Sequence, residues 1–415
     1  MKRRQGRGGK IKVKNKKFRR FIVCLLPLLL FGCGKREIND LAMVTAVGFD
    51  KGKKPGNIQV TAQIVRPADA RGQTGAPSGA TGEPIYSATA EGESIFAAMR
   101  NLARFTTRRV FWAQNFIIVI NEEVAKKGVR DILDFFTRNH ETRMNTWIVA
   151  TPNKAADLVS TVTGLEVVPG EAVDKLFRYN EIVAEAPRTN VMRFEESFLS
   201  KSTHPVLAKM QLRKRGISNK KPEQFGSIEQ IELSGSAVFH RDKLAGWLSP
   251  IQSRGLLFFI EKVDSAVEPL PCPGASKKSS KKVSLELKNQ KFQVKPFIRN
   301  GKPEFSVKLT TYADLVESSC TIPFENMKKP LEDELKQELQ AELQGVIHQA
   351  QKKYKIDFLK LGEVFENRYP VEWKKMQKNW DQEFSGAKIN VSVEAHVNSP
   401  VLLIRPTISE KGGNK

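Results

Sequence analysis

Strand-like and helix-like spacings of apolar residues alternate along the first half of the chain. Residues 41–50 are rich in β-forming side chains, and residues 57–66 are apolar at every second position, which predicts two paired strands. Residues 93–104 place their apolar side chains on one helical face. The same alternation continues in predicted strands at 116–120 and 146–150 and in predicted helices at 124–139 and 153–162. It predicts an N-terminal α/β domain with a mixed sheet over residues 33–205.

The middle of the chain has weaker periodicity and is predicted to be a small β-rich domain over residues 206–270. Strands are predicted at 230–239 and 245–248, on either side of the polar turn at 240–243. Residues 209–221, rich in Lys and Arg, are predicted to form an exposed loop. The turn reads HRDKL, which is similar to a kinase catalytic loop, but a kinase also needs a glycine-rich loop that is absent from this sequence.

The last part of the chain is predicted to be an α+β domain over residues 271–405, with antiparallel strands and long helices, followed by a polar tail at 406–415. Two long β runs meet at Asn300-Gly301, a dipeptide that favours a tight hairpin turn. Helices are predicted at 328–355, 357–367 and 371–384, and a closing strand at 388–397. The whole chain is therefore predicted to be a multidomain α+β protein.

The first 32 residues have the pattern of a bacterial lipoprotein signal peptide. Eleven Lys or Arg and no acid occur in residues 1–20, and the apolar run at 21–32 has only 12 residues. A membrane-spanning helix needs about 20, so this run suits a signal-peptide core that ends at Gly32-Cys33. We expect cleavage before Cys33, lipid on its sulfur, and location on the outer face of the cell membrane. The alternative is a basic tail followed by a buried strand with an incidental cysteine.

Charge and cysteine usage agree with export. The formal charge of +23 falls to +12 once residues 1–32 are removed, and the remainder suits an anionic membrane face. No nucleic-acid-binding motif accompanies this charge, so we expect no nucleic-acid partner. Cys272 and Cys320 would remain beside Cys33, and two thiols outside the cytoplasm can form a disulfide. Two free, separately buried thiols are the alternative.

The residues indicate a protein without catalytic chemistry. The five histidines show no metal-ligand spacing, and the sequence has neither a Gly-x-Ser-x-Gly elbow nor a Cys–His motif. We therefore expect no catalytic residues, no cofactor and no metal. Arg108, Arg109 and Trp112 are candidates for a contact surface, although an Arg stacked over an aromatic ring inside the domain explains them equally well. Trp247, in the Gly246-Trp247 turn, is the other candidate contact residue.

Several long runs, taken together, resemble the C subunits of bacterial spore germinant receptors, the Ger(x)C lipoprotein family. The strings INDLA, RRVFW and GWL within them are more specific than any single glycine motif. The runs occur in order from the predicted lipidation site almost to the end of the chain, at residues 32–50, 92–112, 131–147, 233–256 and 357–391.

The resemblance implies a three-domain, lipid-anchored subunit on the outer face of the spore inner membrane. It implies partnership with a membrane-embedded A subunit and a transporter-like B subunit, which together sense nutrients and trigger germination. It attributes no catalytic activity to the C subunit. An extracytoplasmic solute-binding lipoprotein of a transporter is the alternative. That alternative requires two similar α/β lobes around a cleft, and the C-terminal hairpin followed by helices argues against it. An exported hydrolase is disfavoured by the missing catalytic motifs.

Overall fold

The computed structural model describes residues 40–66, 85–161, 168–179, 183–216, 223, 228–275 and 280–398. The chain divides into two units, residues 1–41 and 42–415. Only Asp40 and Leu41 of the first unit are described, so the predicted signal peptide and Cys33 lie outside the described residues. None of the helices in the described ranges combines the length and apolar character needed to cross a membrane.

The described residues form two β-sheets with helices around them. The strands are β1 (Leu41–Lys51), β2 (Ile58–Val65), β3 (Ile85–Gly92), β4 (Arg109–Phe111), β5 (Ile117–Asn121), β6 (Trp147–Thr151), β7 (Val206–Lys214), β8 (Glu229–His240), β9 (Lys243–Leu248), β10 (Ala266–Pro271), β11 (Lys282–Arg299), β12 (Lys302–Ser318) and β13 (Lys388–Asn398). The helices are α1 (Ile95–Leu102), α2 (Glu122–Lys127), α3 (Arg130–Arg138), α4 (Ala155–Ser160), α5 (Pro169–Tyr179), α6 (Val191–Leu199), α7 (Pro250–Ile260), α8 (Phe324–His348), α9 (Leu361–Arg368), α10 (Pro370–Met376) and α11 (Trp380–Gly386). A π-helical segment, Gln349–Tyr354, follows α8, and a short 3₁₀ turn, Gln377–Asn379, joins α10 to α11.

The first sheet has nine strands in the order β3-β2-β1-β5-β6-β7-β8-β9, with β4 paired beside β1. Strands β1, β5, β6 and β7 are parallel, and the strands on either side of them are antiparallel. All five residues of the central strand β5 are buried. Because successive side chains point to opposite faces, the strand is covered on both faces. Ile118 and Ile120 face a core that contains Phe49, whereas Ile117 and Val119 face a second core. This mixed sheet confirms the predicted N-terminal fold class.

The predicted middle domain has no sheet of its own. Strands β7, β8 and β9 continue the first sheet, because Val149 of β6 pairs in parallel with Ala208 of β7. The prediction of a loop at residues 209–221 is wrong for its first part. Met210 and Leu212 alternate with polar residues there, and β7 runs to Lys214 with Met210 buried. The proposed boundary at residue 206 therefore does not coincide with a break in the sheet.

The single helix predicted at residues 124–139 is two helices. Gly128 ends α2 with a φ of +131°, a backbone conformation that side chains other than glycine rarely adopt. A Cβ at this position would lie 2.7 Å from Oδ2 of Asp242, and the next amide, of Val129, donates to the Asp242 carbonyl. Contact with the β8–β9 turn therefore breaks the helical run.

The second sheet has the order β10-β11-β12-β13, with β13 parallel to β12 and the other pairs antiparallel. Its buried face packs on α8, where Leu331, Leu335, Leu339 and Leu343 repeat every fourth position and form one apolar stripe. This arrangement confirms the predicted C-terminal class of strands plus long helices. The two sheets differ in strand order and in helix placement, so the described residues do not form two similar α/β lobes.

A disulfide links Cys272 and Cys320, which follow β10 and β12, with their Cα atoms 5.7 Å apart. Both cysteines are buried in the core beneath the second sheet. Their separation of 48 residues corresponds to a contribution of about 3–4 kcal/mol to stability in the chain-entropy model. The bond holds the start of the C-terminal domain against the end of its longest hairpin.

A buried arginine ties the same domain to α7. The Arg254 guanidinium donates to Glu342 of α8 over 2.8 and 2.9 Å, and to Glu268 of β10 over 2.5 Å. The side chains of Arg254 and Glu342 are 14% and 3% exposed, so solvent screens the pair little. Two carboxylates on one guanidinium therefore fix α7, β10 and α8 against one another.

The fully buried carboxylate of Asp357 organises the loop before α9. Oδ1 accepts from the Leu359 and Leu361 amides at 3.0 and 3.3 Å. Oδ2 accepts from the Gly362 amide at 2.6 Å and from the Trp380 indole N–H at 3.0 Å. Desolvation by this complete burial raises the pKa of Asp357 to about 6, despite the four N–H donors.

The backbone of Asp357 also holds the segment that precedes β7. Its carbonyl accepts from the His204 amide at 2.8 Å and from the Thr203 hydroxyl at 3.2 Å, just before β7 begins. Gly362 allows this approach, because a Cβ there would lie 2.2 Å from the Ser202 carbonyl oxygen. The segment predicted as helix from residue 357 is therefore a loop up to Lys360, built around one carboxylate.

Replacing Asp357 with Asn should lower the free energy of unfolding by about 2–4 kcal/mol, because the amide NH₂ would face N–H donors in a dry site. Chemical denaturation at pH 7 measures the loss. Asp134→Asn is the control, since the Asp134 carboxylate is half-exposed and forms a surface ion pair with Arg138. Equal stability of the two variants would contradict the assigned role of Asp357.

The stability difference between wild type and Asp357→Asn should depend on pH. The folded pKa of about 6 lies above the ordinary aspartate value of 3.8, so the folded state binds more protons between these values. The stability contributed by protonation is fully present below about pH 3.8 and is lost as the pH rises through 6. Wild type should therefore gain stability relative to the variant, which does not titrate at this site, as the pH falls from 7 to 5.

Candidate functional site

An open groove of about 960 Å³ lies between α1 and α3 on the first sheet and is called the α1–α3 groove below. Its lining combines apolar side chains with charged ones. The lining residues are Glu93, Ser94, Ile95, Phe96, Met99, Arg100, Ala103, Arg109, Val110, Trp112, Asp131, Asp134, Phe135, Arg138, Asn139, His140 and Glu141.

Local sequence places one aromatic ring at the mouth of this groove. The Ser94 hydroxyl accepts from the Ala97 amide at 3.1 Å and starts α1. Ile95 and Met99 then face the core, and Phe96, one position after Ile95, remains 55% exposed. The Phe96 ring lies 6.4 Å from the ring of Phe135 on α3. The two helices thus present a partly exposed aromatic pair.

Charged side chains form the rim. Arg109 donates to Glu141 over 3.2 Å, and Arg138 donates to Asp134 over 2.6 Å. The Arg100 guanidinium lies 4.9 Å from the centre of the Phe96 ring, which is a cation–π arrangement. Exposed pairs of this kind contribute little to folding, so these side chains can exchange partners at low cost. An apolar floor with a charged rim suits the binding of an amphipathic protein segment.

The predicted contact residues near this groove separate into surface and core. Arg108 is exposed, and Arg109 stands at the rim in its pair with Glu141. Trp112 is only 7% exposed and packs in the core with Met99. Trp112 therefore contributes to the groove floor and does not belong to an exposed contact surface. Sequence reasoning missed Phe96, because an aromatic residue inside a helical pattern is usually interpreted as core.

Trp247 is also engaged within the fold. It is half-buried, and its indole N–H donates to Glu122 of α2 at 3.2 Å. The Nζ of Lys209 lies 5.7 Å from the Trp247 ring, and the Trp247 carbonyl accepts from the Tyr354 hydroxyl at 2.9 Å. These contacts make Trp247 a link among α2, β7 and the C-terminal helices, which weakens the case for a free contact residue.

Among the residues that the structure describes, His204, His240 and Asp381 form a cluster of potential metal ligands. Their ligand atoms lie within 4.8 Å of one another. His204 Nδ1 accepts from the Arg241 amide at 3.1 Å, so the neutral ring carries its proton on Nε2. Nε2 then donates to Oδ1 of Asp381 over 3.0 Å. Metal-bound histidines normally donate their other N–H to an acceptor, whereas a donor stands there in this protein.

The cluster therefore fits a hydrogen-bonded junction better than a metal centre. Burial lowers the pKa of His240. Burial alone would raise the pKa of Asp381, but the hydrogen bond from His204 acts in the opposite direction and the pKa of Asp381 is lowered. The junction links β7 and β8 to α11. Its members are far apart in sequence, and no local spacing signals their proximity.

Comparison with known families covers most of the chain. The spore germination protein N-terminal domain matches residues 34–212, and the spore germination B3/GerAC-like C-terminal domain matches residues 234–400. The two matches occur in tandem: the first ends within β7 and the second begins within β8, so the division between them falls inside the first sheet.

Individual relatives match over nearly their whole length. Spore germination protein KC of Bacillus subtilis (strain 168) is 27% identical over 403 residues, which cover 92% of this chain and 97% of the relative. Spore germination protein B3 of the same strain is 23% identical over 379 residues, 88% and 92% of the two chains. The crystal structure of the GerBC protein superposes with a TM-score of 0.53 at 18% identity, covering 85% of this chain and 98% of that one. The last likeness shows a shared fold.

The division between core and surface at the groove can be tested by stability. Trp112→Ala should lower the free energy of unfolding by about 3–5 kcal/mol, because it removes a buried indole. Phe96→Ala should change it by less than about 1 kcal/mol, because half of that ring is already in solvent. Denaturant titration compares the two variants, and a larger loss for Phe96→Ala than for Trp112→Ala would reverse the assignment.

Proposed function

The chain belongs to the Ger(x)C family of spore germination proteins, and on that premise we propose that it is the lipid-anchored C subunit of a nutrient germinant receptor. It acts with a membrane-embedded A subunit and a B subunit to trigger germination. The observation that carries this proposal is the tandem match of both family domains over residues 34–212 and 234–400.

The proposed anchor is lipid on Cys33. The N-terminal family domain begins at residue 34, directly after this cysteine, which supports a mature chain that starts there. The basic head and the 12-residue apolar run before Cys33 supply the export signal. One acyl chain holds a protein only marginally, so stable attachment needs two or more chains. The protein would then lie on the outer face of the spore inner membrane.

We further propose that this subunit works by contact and not by catalysis. The α1–α3 groove is the candidate surface, because it combines exposed aromatic rings with arginines, the residue types that dominate interface energies. The Ser94 hydroxyl in the groove accepts the N-cap hydrogen bond of α1, so we assign it a structural role and not a catalytic one. A partner segment with an apolar face and charged flanks would fill the groove.

Affinity purification of the tagged full chain from detergent-solubilised spore membranes tests this function. We expect the A and B subunits to co-purify with it. The variant Phe96→Ala/Arg109→Ala should retain the fold and lose about 2 kcal/mol or more of partner affinity, a roughly 30-fold change. Leu199→Ala is the matched control, because Leu199 is 69% exposed and lies outside the groove.

Two results would speak against the proposal. Purification of the chain without either membrane subunit would remove the receptor assignment. Retention of both subunits by the groove variant would leave the receptor assignment intact but would exclude the groove as their binding surface.

Replacing Cys33 with Ala should abolish the anchor. The expected product is an uncleaved or released precursor, because the lipid is attached through the cysteine sulfur. Membrane fractionation and intact-mass measurement detect the change. Membrane retention with an unchanged intact mass in the variant would show that Cys33 is not the lipidation site.

A further inference from the structure

The outer face of the second sheet is a cationic surface without a role in the proposed function. The opposite face of this sheet is buried against α8 and the helices that follow it. Along β11 from Lys291 to Arg299, exposed side chains on the outer face alternate with half-buried ones on the inner face. The sheet therefore presents one broad face to solvent.

A bulge in β11 determines which residues reach this face. Asn289 has a φ of +53°, and the pairing register with β12 shifts between Lys288 and Lys291. The extra residue reverses the alternation, so Leu287 before the bulge and Phe292 after it both pack against the buried side. Lys291 and every second residue after it consequently turn outward.

This outer surface is rich in lysine near the Asn300–Gly301 turn. It is called the lysine face below and is defined by Lys291, Lys295, Phe297, Arg299, Lys302, Lys308 and Lys388. Arg299 pairs with Glu304 over 3.7 Å and Lys308 with Glu394 over 2.7 Å. The other four lysines take part in no ion pair among the described residues. The face extends roughly 25 Å along β11 and about 10 Å across three strands.

An exposed aromatic ring lies among these charges. Phe297 is 47% exposed and occupies the outward position between Lys295 and Arg299. Long lysine stems and an aromatic ring beside ammonium groups are the combination that settles at the boundary between lipid headgroups and acyl chains. The mixture is thus better suited to a membrane surface than to water alone.

We propose that the lysine face binds the anionic headgroups of a phospholipid membrane. Five of its six cations are lysines, which act as point charges and suit a diffuse negative surface, whereas paired recognition of a protein carboxylate favours arginine. The inference rests on the proposed membrane location for its biological setting. It adds a second attachment, through the C-terminal domain, to the anchor proposed at Cys33.

Binding to vesicles tests the proposal on the full-length Cys33→Ala chain, which carries no lipid of its own. Vesicles of phosphatidylcholine are compared with vesicles that also contain phosphatidylglycerol, at low and high salt. The variant Lys291→Glu/Lys295→Glu/Lys388→Glu should bind the anionic vesicles at least about tenfold more weakly than the parent chain. The basic head is present in every chain compared and contributes equally.

The matched control is Lys374→Glu/Lys375→Glu/Lys378→Glu, which changes the charge by the same amount on exposed residues of the helical side. If the position of the charges determines binding, and not the net charge alone, this variant should bind within about twofold of the parent chain. A position-specific signal comes from Phe297→Trp, whose emission should shift to shorter wavelength on anionic vesicles. Val371→Trp, at a residue that is 63% exposed near the control lysines, should show no shift.

Equal weakening by both triple variants would overturn the proposal, since net charge alone would then explain the binding. Full vesicle binding by the lysine-face variant, with loss of the membrane subunits in affinity purification, would show that the face binds an acidic protein instead. Because the vesicles contain no other protein, their result is independent of whether the receptor subunits co-purify. Failure of the receptor assignment and failure of the lipid assignment are therefore distinguishable.

Discussion

The buried Asp357 is the constraint on which the contact between the C-terminal helices and the first sheet depends. An ionised group without solvent is costly, and four N–H donors offset that cost only if all of them keep their positions. These donors belong to Leu359 in the loop before α9, to the first two residues of α9 and to the first residue of α11. The Asp357 carbonyl holds the segment that leads into β7. One residue therefore fixes a loop, a helix and the middle of a sheet.

Neighbouring contacts strengthen the same region. Trp380 donates to Asp357 and also packs its ring 5.0 Å from that of Trp373. His204, whose amide binds the Asp357 carbonyl, directs its ring to Asp381 on α11. Separately from these contacts, the ion pairs of Arg254 with Glu268 and Glu342 hold α7 to β10 and α8. The C-terminal helices are thus fixed to the first sheet by polar contacts as well as by apolar packing, which favours one defined arrangement.

The two exposed surfaces of interest differ in chemistry and lie on different sheets. The α1–α3 groove combines aromatic rings with arginines that already have acidic neighbours, a composition typical of protein recognition. The lysine face has few acids and an exposed phenyl ring, a composition typical of headgroup contact. A protein that binds a membrane on one surface and protein partners on another can carry a signal between them by rigid-body movement. The disulfide and the buried ion pairs of Arg254 cross-link the elements of the C-terminal domain.

The sequence by itself determined the elements whose spacing is local. The alternation at residues 57–66, the Asn300-Gly301 turn and the helical spacing at residues 328–355 all predicted elements that the structure contains, because a hairpin or a helix is encoded within a few residues. Tertiary structure decided where those elements join. Pairing of β7 with β6 merged the predicted middle domain into the first sheet, contact with Asp242 split a helix at Gly128, and the bulge at Asn289 turned lysines outward. These outcomes depend on residues distant in sequence, whose proximity no local periodicity records.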